Sequence, residues 1–94
     1  MPIVNFKDRR LQQVFNRGRP KGFPSDLVSV TRRKLVMLDA ATVLDDLRMP
    51  PANRLEALRG DRAGQHSIRV NDQFRLCFHW TDAGPGDVEF VDYH

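Results

Sequence analysis

Two alternating runs separated by three polar residues constrain this chain more than any other feature. They are His66-Ser67-Ile68-Arg69-Val70 and Phe74-Arg75-Leu76-Cys77-Phe78-His79-Trp80, joined by Asn71-Asp72-Gln73. Residues two apart in a strand share a face. Ile68 and Val70 therefore lie on one side of the first run, and Phe74, Leu76, Phe78 and Trp80 on one side of the second. Both apolar sets reach a single core only if Val70 pairs with Phe74, which makes Asn71-Asp72-Gln73 a three-residue hairpin loop, an allowed length. A two-residue loop would turn one set outward. The same register puts Arg69 opposite Arg75 on the face away from the core. Like charges facing each other across strands repel, and an anion such as phosphate between them would relieve this. Two solvated arginines that splay apart satisfy the pattern equally.

The end of the chain extends this parity. Val88 to His94 reads as a last strand after a wide turn, Ala83-Gly84-Pro85-Gly86. Turning Val88 and Phe90 to the core pairs Trp80 with Val88 and Phe78 with Phe90, and sets Arg75 opposite Tyr93. Two arginines and a tyrosine then converge on an open outer face. Asp92 and His94 alternate to the other side unless the chain end twists.

Helical signals come first in the sequence. Ile3 to Phe6 reads as a short strand, and Asp8 as an N-cap for a helix with Leu11, Val14 and Phe15 on one face. Gly18 and Pro20 stop it. Pro24-Ser25 opens a second helix with Leu27, Val30, Leu35 and Leu38 as its apolar stripe and Arg32-Arg33-Lys34 in its middle. Thr42 and Asp45 have the spacing of a capping box, giving a short third helix at 42–48 with Val43, Leu44 and Leu47 buried. Pro50-Pro51 ends it. A short strand over Arg54 to Leu58 and a turn-rich Arg59 to Gly64 precede the hairpin. Helices followed by antiparallel strands define an α+β fold, a small sheet with two to three N-terminal helices on one face.

The 94 residues make one domain, 1–94, with no internal repeat or linker. Fifteen Lys and Arg against twelve Asp and Glu give a net charge of +3. Most of the cations are arginine, the side chain suited to forked contacts with phosphate, which fits a polyanionic partner and equally a soluble surface with a modest excess of arginine. The single cysteine, Cys77, excludes an intrachain disulfide and reads as a packed thiol. No apolar run approaches the ~18 residues of a membrane span. Met1 to Phe6 is too short for a signal peptide and has no basic leader, so a cytoplasmic location without membrane contact is expected.

The terminal Asp92-Tyr93-His94 carries the chemistry. RNA cleavage needs a base for the ribose 2′-hydroxyl, a cation for the charge developing on phosphate, and an acid for the leaving 5′-oxygen. Histidine serves as acid or base near neutrality, Arg75 and Arg59 supply positive charge, and Tyr93 can stack on a base or move a proton. This needs no metal and no cofactor. His66, His79 and Cys77 lack metal-ligand spacing and read as structural or solvated. A terminal His is equally a frayed end, and a strand Tyr equally packs at a core edge.

Two stretches taken together, Leu58-Arg59-Gly60-Asp61-Arg62-Ala63-Gly64 through Ser67-Ile68-Arg69-Val70, and Phe74 to Phe78 with the terminal Asp92-Tyr93-His94, resemble the HigB branch of the RelE toxin superfamily. The likeness covers nearly the whole chain, including Phe6, the helix pair and Leu38 to Thr42. It implies a compact α+β fold and ribosome-dependent endonuclease activity on mRNA in the decoding site. It also implies neutralisation by a helix-turn-helix antitoxin of the HigA type, through which the chain acts on operator DNA only indirectly. By carry-over, Arg75, Asp92, Tyr93 and His94 fall on catalytic positions, and Arg59, Arg62 and Arg69 on RNA or phosphate contacts. The chain departs from the family where a His-Pro-Leu-Lys-Gly-Asp-Arg run is usual. Here Glu56-Ala57-Leu58-Arg59-Gly60-Asp61-Arg62 places Glu56 at the histidine position, as a carboxylate that accepts the ribose proton or pairs structurally with Arg59 or Arg75. A noncatalytic nucleic-acid-binding module using Arg17, Arg19, Lys21, Arg32, Arg33 and Lys34, or a corepressor with vestigial chemistry, fits the same composition.

Overall fold

The computed structural model describes residues 1–93. Asp8 caps α1 (Arg9–Phe15), its carboxylate accepting from the Arg10 amide at 2.9 Å and so satisfying a first-turn donor that has no partner within the helix. Leu11 and Val14 are fully buried, and the helix ends at Asn16, just before Gly18 and Pro20. A single 3-10 turn at Ser25–Leu27 leads into α2 (Val28–Ala40). The stripe α2 buries is Val28, Thr31, Leu35 and Leu38, whereas Leu27 and Val30 reach the core only in part.

The third helix is a tighter 3-10 segment, Leu44–Arg48. Its capping acid is Asp46 rather than Asp45. The Asp46 carboxylate accepts from both the backbone amide and the hydroxyl of Thr42 at 2.9 Å, while Asp45 pairs with Arg48. This winding buries Leu47 and leaves Val43 exposed, which corrects the sequence assignment of Val43 to the buried side. The basic run in α2 is no single charged patch either. Arg32 Nε donates to the Val14 carbonyl at 3.1 Å and ties α2 to α1, Arg33 is exposed, and Lys34 is buried against Asn53.

Four antiparallel strands follow in the order β1 (Glu56–Ala57), β2 (Gln65–Arg69), β3 (Phe74–Thr81) and β4 (Gly84–Asp92). The three-residue hairpin forms as the parity requires. The Val70 amide bonds the Phe74 carbonyl at 2.9 Å, and Arg69 pairs with Arg75. Ile68, Leu76, Phe78 and Val88 are fully buried against Leu11, Val14, Val28, Leu35 and Leu38, so the helices cover one face of the sheet.

The second hairpin departs from the sequence reading. Its turn is Asp82-Ala83, with Thr81 paired to Gly84, so β4 begins inside the expected Gly-Pro-Gly turn. Gly84 has φ 126°, and a Cβ there would stand 2.3 Å from the Pro2 carbonyl oxygen, so the close pass of the amino-terminal segment demands glycine. Farther along, Cys77 pairs with Glu89 but His79 with Gly86, so β4 carries one extra residue opposite Phe78. Asp87 takes φ 50° there and accepts from the Asn5 side chain at 2.9 Å. The tighter turn and the bulge together pair Leu76 with Phe90 and Arg75 with Val91, two residues from the anticipated register, while parity is kept. The expected strand at Ile3 to Phe6 is reduced to one parallel bridge, Phe6 with Val88, beside backbone bonds from Val4 to Pro85 and from Lys7 to Val88.

Asn53 is the buried polar joint behind the sheet edge. Fully buried, it accepts from Lys34 Nζ and donates to the carbonyls of Leu47 (3.1 Å) and Met49 (3.3 Å). Removing one partner of a buried charged contact leaves the desolvation cost uncompensated. Asn53→Ala should therefore lower unfolding free energy by about 2–4 kcal/mol in urea titration, and a loss below about 0.5 kcal/mol would show the joint to be dispensable.

Asp8 gives a pH signature. Burial pulls its carboxyl upward, but the hydrogen bonds and charge of Arg10 outweigh this and hold it below the ordinary carboxylate range. The stability it contributes is present above the unfolded value and lost as pH falls through the folded one. Wild type should lose more stability than Asp8→Asn on acidification below about pH 4, as followed by thermal melts; parallel losses would contradict this.

Candidate functional site

The sheet face opposite the helices is a polar surface built in rows. Cross-strand pairing runs Glu56–Ser67–Cys77–Glu89 through all four strands, and Arg69–Arg75–Val91 in the next row. The sequence reading expected this face to be open. Instead Ser67, Arg75 and Cys77 are buried in its floor. Burial pushes the Cys77 thiol up, which makes it a packing group rather than a nucleophile.

Arg75 is the centre of the floor, 7% exposed. Nε donates to Ser67 Oγ at 2.7 Å and Nη2 to the Arg54 carbonyl at 2.5 Å. Arg54 reaches that position in the left-handed region (φ 45°, ψ 55°), closing the 3-10 turn Pro51–Asn53. A non-glycine residue held there needs surrounding structure to keep it, and the charge-assisted bond from Arg75 is part of that structure. With two edges of the fork committed, Nη1 faces Glu56 Oε2 at 3.7 Å. Arg75 is thus oriented by neutral acceptors and only loosely neutralised.

Glu56 and Tyr93 complete the cluster. Tyr93 follows β4, its amide bonding the Gln73 carbonyl at 2.8 Å, so the three-residue loop anchors the end of the chain. The phenol donates to Glu56 Oε1 at 3.3 Å, and the Arg75 guanidinium carbon lies 5.3 Å from the ring centroid, a cation–π contact. Burial, then the charge and hydrogen bond of Glu56, raise the phenol above the ordinary tyrosine value against the pull of Arg75. It therefore stays protonated at physiological pH and serves as a hydrogen-bond donor.

The remaining sequence candidates are placed as follows. Arg62 lies at the rim on the turn Gly60–Arg62, donating to Glu89 Oε1 at 2.6 Å and Gln65 Oε1 at 3.2 Å. Arg59 is exposed beside it. Arg69 bonds Asp72, so the facing arginines are separated by protein partners of their own. Asp92 pairs in register with Phe74, on the side of the sheet away from Tyr93, and accepts from the Gln73 side chain at 3.0 Å. His94 lies outside the described residues. The sequence reading did not single out Ser67, the Arg54 carbonyl or Glu89. Ser67 shares the parity of Arg69 and could have been found from it, but a carbonyl contact from a turn has no sequence signature.

The comparisons with known proteins agree with one another. The family described as "RelE-like toxin of type II toxin-antitoxin system HigB" matches residues 4–94. A protein of Vibrio cholerae serotype O1 named "Toxin HigB-1" is 46% identical over 92 residues, covering 97% of this chain and 96% of its own length. One from Proteus vulgaris named "Endoribonuclease HigB" is 30% identical over 92 residues, covering 98% and 99%. With a match of this extent, the chain belongs to the HigB-like toxin family of type II toxin–antitoxin systems, a class in which the toxin has an antitoxin partner.

Proposed function

We propose that this chain is a ribosome-dependent endoribonuclease that cuts messenger RNA during translation by metal-independent chemistry. The observation that carries the reading is the meeting of a carboxylate, a buried guanidinium and a neutral phenol at Glu56, Arg75 and Tyr93. The name of the Proteus relative supports it.

In this mechanism Glu56 accepts the proton of a ribose 2′-hydroxyl, whose oxygen attacks the adjacent phosphorus. Arg75, already oriented by Ser67 and Arg54, stabilises the charge that develops on the phosphate oxygens without further reorganisation. Tyr93 donates to the same phosphate or to the carboxyl beside it. The bond to the 5′-oxygen then breaks, and we assign His94 as the acid that protonates it. Asp92, which accepts from the Gln73 side chain, steadies the end of β4, and Arg59, Arg62 and Arg69 hold the RNA backbone. The partners proposed are the ribosome with bound mRNA and a HigA-type helix-turn-helix antitoxin. Operator DNA is reached only through that antitoxin. Among the described residues no helix is long and apolar enough to cross a membrane, and we place the activity in the cytoplasm.

Induction of the chain without its antitoxin should arrest growth and create new 5′ ends inside translated messages. At equal abundance Arg75→Ala should do neither. Arrest by both chains, or by neither when both are folded, would overturn the reading.

Purified protein on programmed ribosomes tests the base. Glu56→Gln should slow single-turnover cleavage by about 10²–10⁴-fold. Glu56→His should keep activity but move the acidic limb of the rate profile upward, toward about 6.5, because an imidazole must be neutral to take the proton. An unchanged profile in Glu56→His would remove residue 56 from the role of base.

A further inference from the structure

Beside the Glu56–Arg75–Tyr93 cluster, between the Pro51–Arg54 turn and the β2–β3 loop, lies a cleft of about 420 Å³. This is within the range of small-ligand pockets, about 300–1,000 Å³. Arg75 and Tyr93 form the wall it shares with the cluster, and Ala52, Arg54, Arg69, Asn71 and Asp72 line the rest. Three guanidinium groups thus face one carboxylate, Asp72, whose side chain is 96% exposed in its pair with Arg69. An ion pair that open to water contributes little and yields readily to a better-placed anion.

The surroundings add positive charge. Lys34 is buried behind this corner, bonded to the neutral amide of Asn53 and close enough to Arg69 to be repelled by it. Asn71 Oδ1 is occupied by the amides of Gln73 (2.9 Å) and Phe74 (2.7 Å), which leaves the amide nitrogen, a donor, as the end the loop does not use. The left-handed backbone of Arg54 sends its carbonyl to Arg75, and the residue is exposed at the cleft. Donors and cations therefore outnumber the acceptors around a space of nucleotide scale.

We propose that this cleft is a second phosphate subsite, formed by Arg54, Arg69 and Asn71, which takes the phosphodiester adjoining the one held at Arg75. It rests on the ribonuclease reading only for the identity of the strand that occupies it. Two neighbouring phosphates are then gripped across one nucleoside, which aligns the ribose before reaction.

Adenosine 3′,5′-bisphosphate carries such a pair of phosphates and needs neither ribosome nor cleavage. Calorimetric titration of the wild-type chain should show it binding on the order of tenfold more tightly than adenosine 3′-monophosphate or 5′-monophosphate. Arg69→Ala and Arg54→Gly should each abolish that preference. Glycine accepts φ 45° and preserves the carbonyl that holds Arg75, so Arg54→Gly isolates the side chain. Thermal melts confirm that the variants are folded. Equal affinity of wild type for the bisphosphate and the monophosphates, absent binding of all three, or an undiminished preference in both variants would overturn the subsite. A chain that prefers the bisphosphate but cuts no message loses the ribonuclease reading and keeps the subsite. One that cuts messages without the preference loses the subsite alone.

Discussion

A buried arginine held by neutral acceptors organises this molecule. Arg75 stands on the central strand β3, with its guanidinium removed from water and bonded to Ser67 of β2 and to the Arg54 carbonyl. Burying a cation is costly unless hydrogen bonds replace its hydration, and these contacts do so while leaving its charge largely uncompensated. The short β1 strand, the turn before it and the chain end after β4 all meet this group. Glu56 lies 3.7 Å from it, Arg54 is held in a left-handed conformation against it, and Tyr93 lies over it. The strain and the desolvation fall at the place where a cation of set direction is useful, in keeping with a fold that relinquishes stability at its site.

The rest of the fold supplies rigidity behind that group. Leucine and valine side chains of α1 and α2 pack on Ile68, Leu76, Phe78 and Val88, so the strands carrying Ser67 and Arg75 are anchored from the opposite face. The buried Lys34–Asn53 contact places the turn that ends at Arg54. The β2–β3 loop ties down the chain end through Gln73, which accepts from the Tyr93 amide and donates to Asp92. Glu56, Arg75 and Tyr93 meet at the point where these supports converge.

Much of the sheet was legible because strand parity is a two-valued property. Once Val70 is paired with Phe74, the Arg69–Arg75 pair and the burial of Leu76 and Phe78 follow, and all of them are found. The β3–β4 register was not legible, since it depends on Asp87 adopting a positive φ and on the choice between a tight Asp82-Ala83 turn and a wide glycine-rich one. Parity likewise identified which side chains share the outer face but not their burial. That depends on the turn at Pro51–Asn53 folding back over the sheet edge. Lys34 illustrates the same limit: on α2 it reads as one of three surface cations, and only the position of Asn53 shows why it is buried.

We propose that the forked geometry of Arg75, rather than its positive charge alone, sets up cleavage. Arg75→Lys separates the two, because lysine retains the charge but replaces with a single nitrogen the planar fork whose Nε and Nη2 reach Ser67 and Arg54 separately. Single-turnover cleavage on programmed ribosomes should fall by about 10²–10³-fold in a chain that still melts cooperatively. Cleavage within about threefold of wild type, well under the loss expected when a positioned donor is removed, would reduce Arg75 to a point charge.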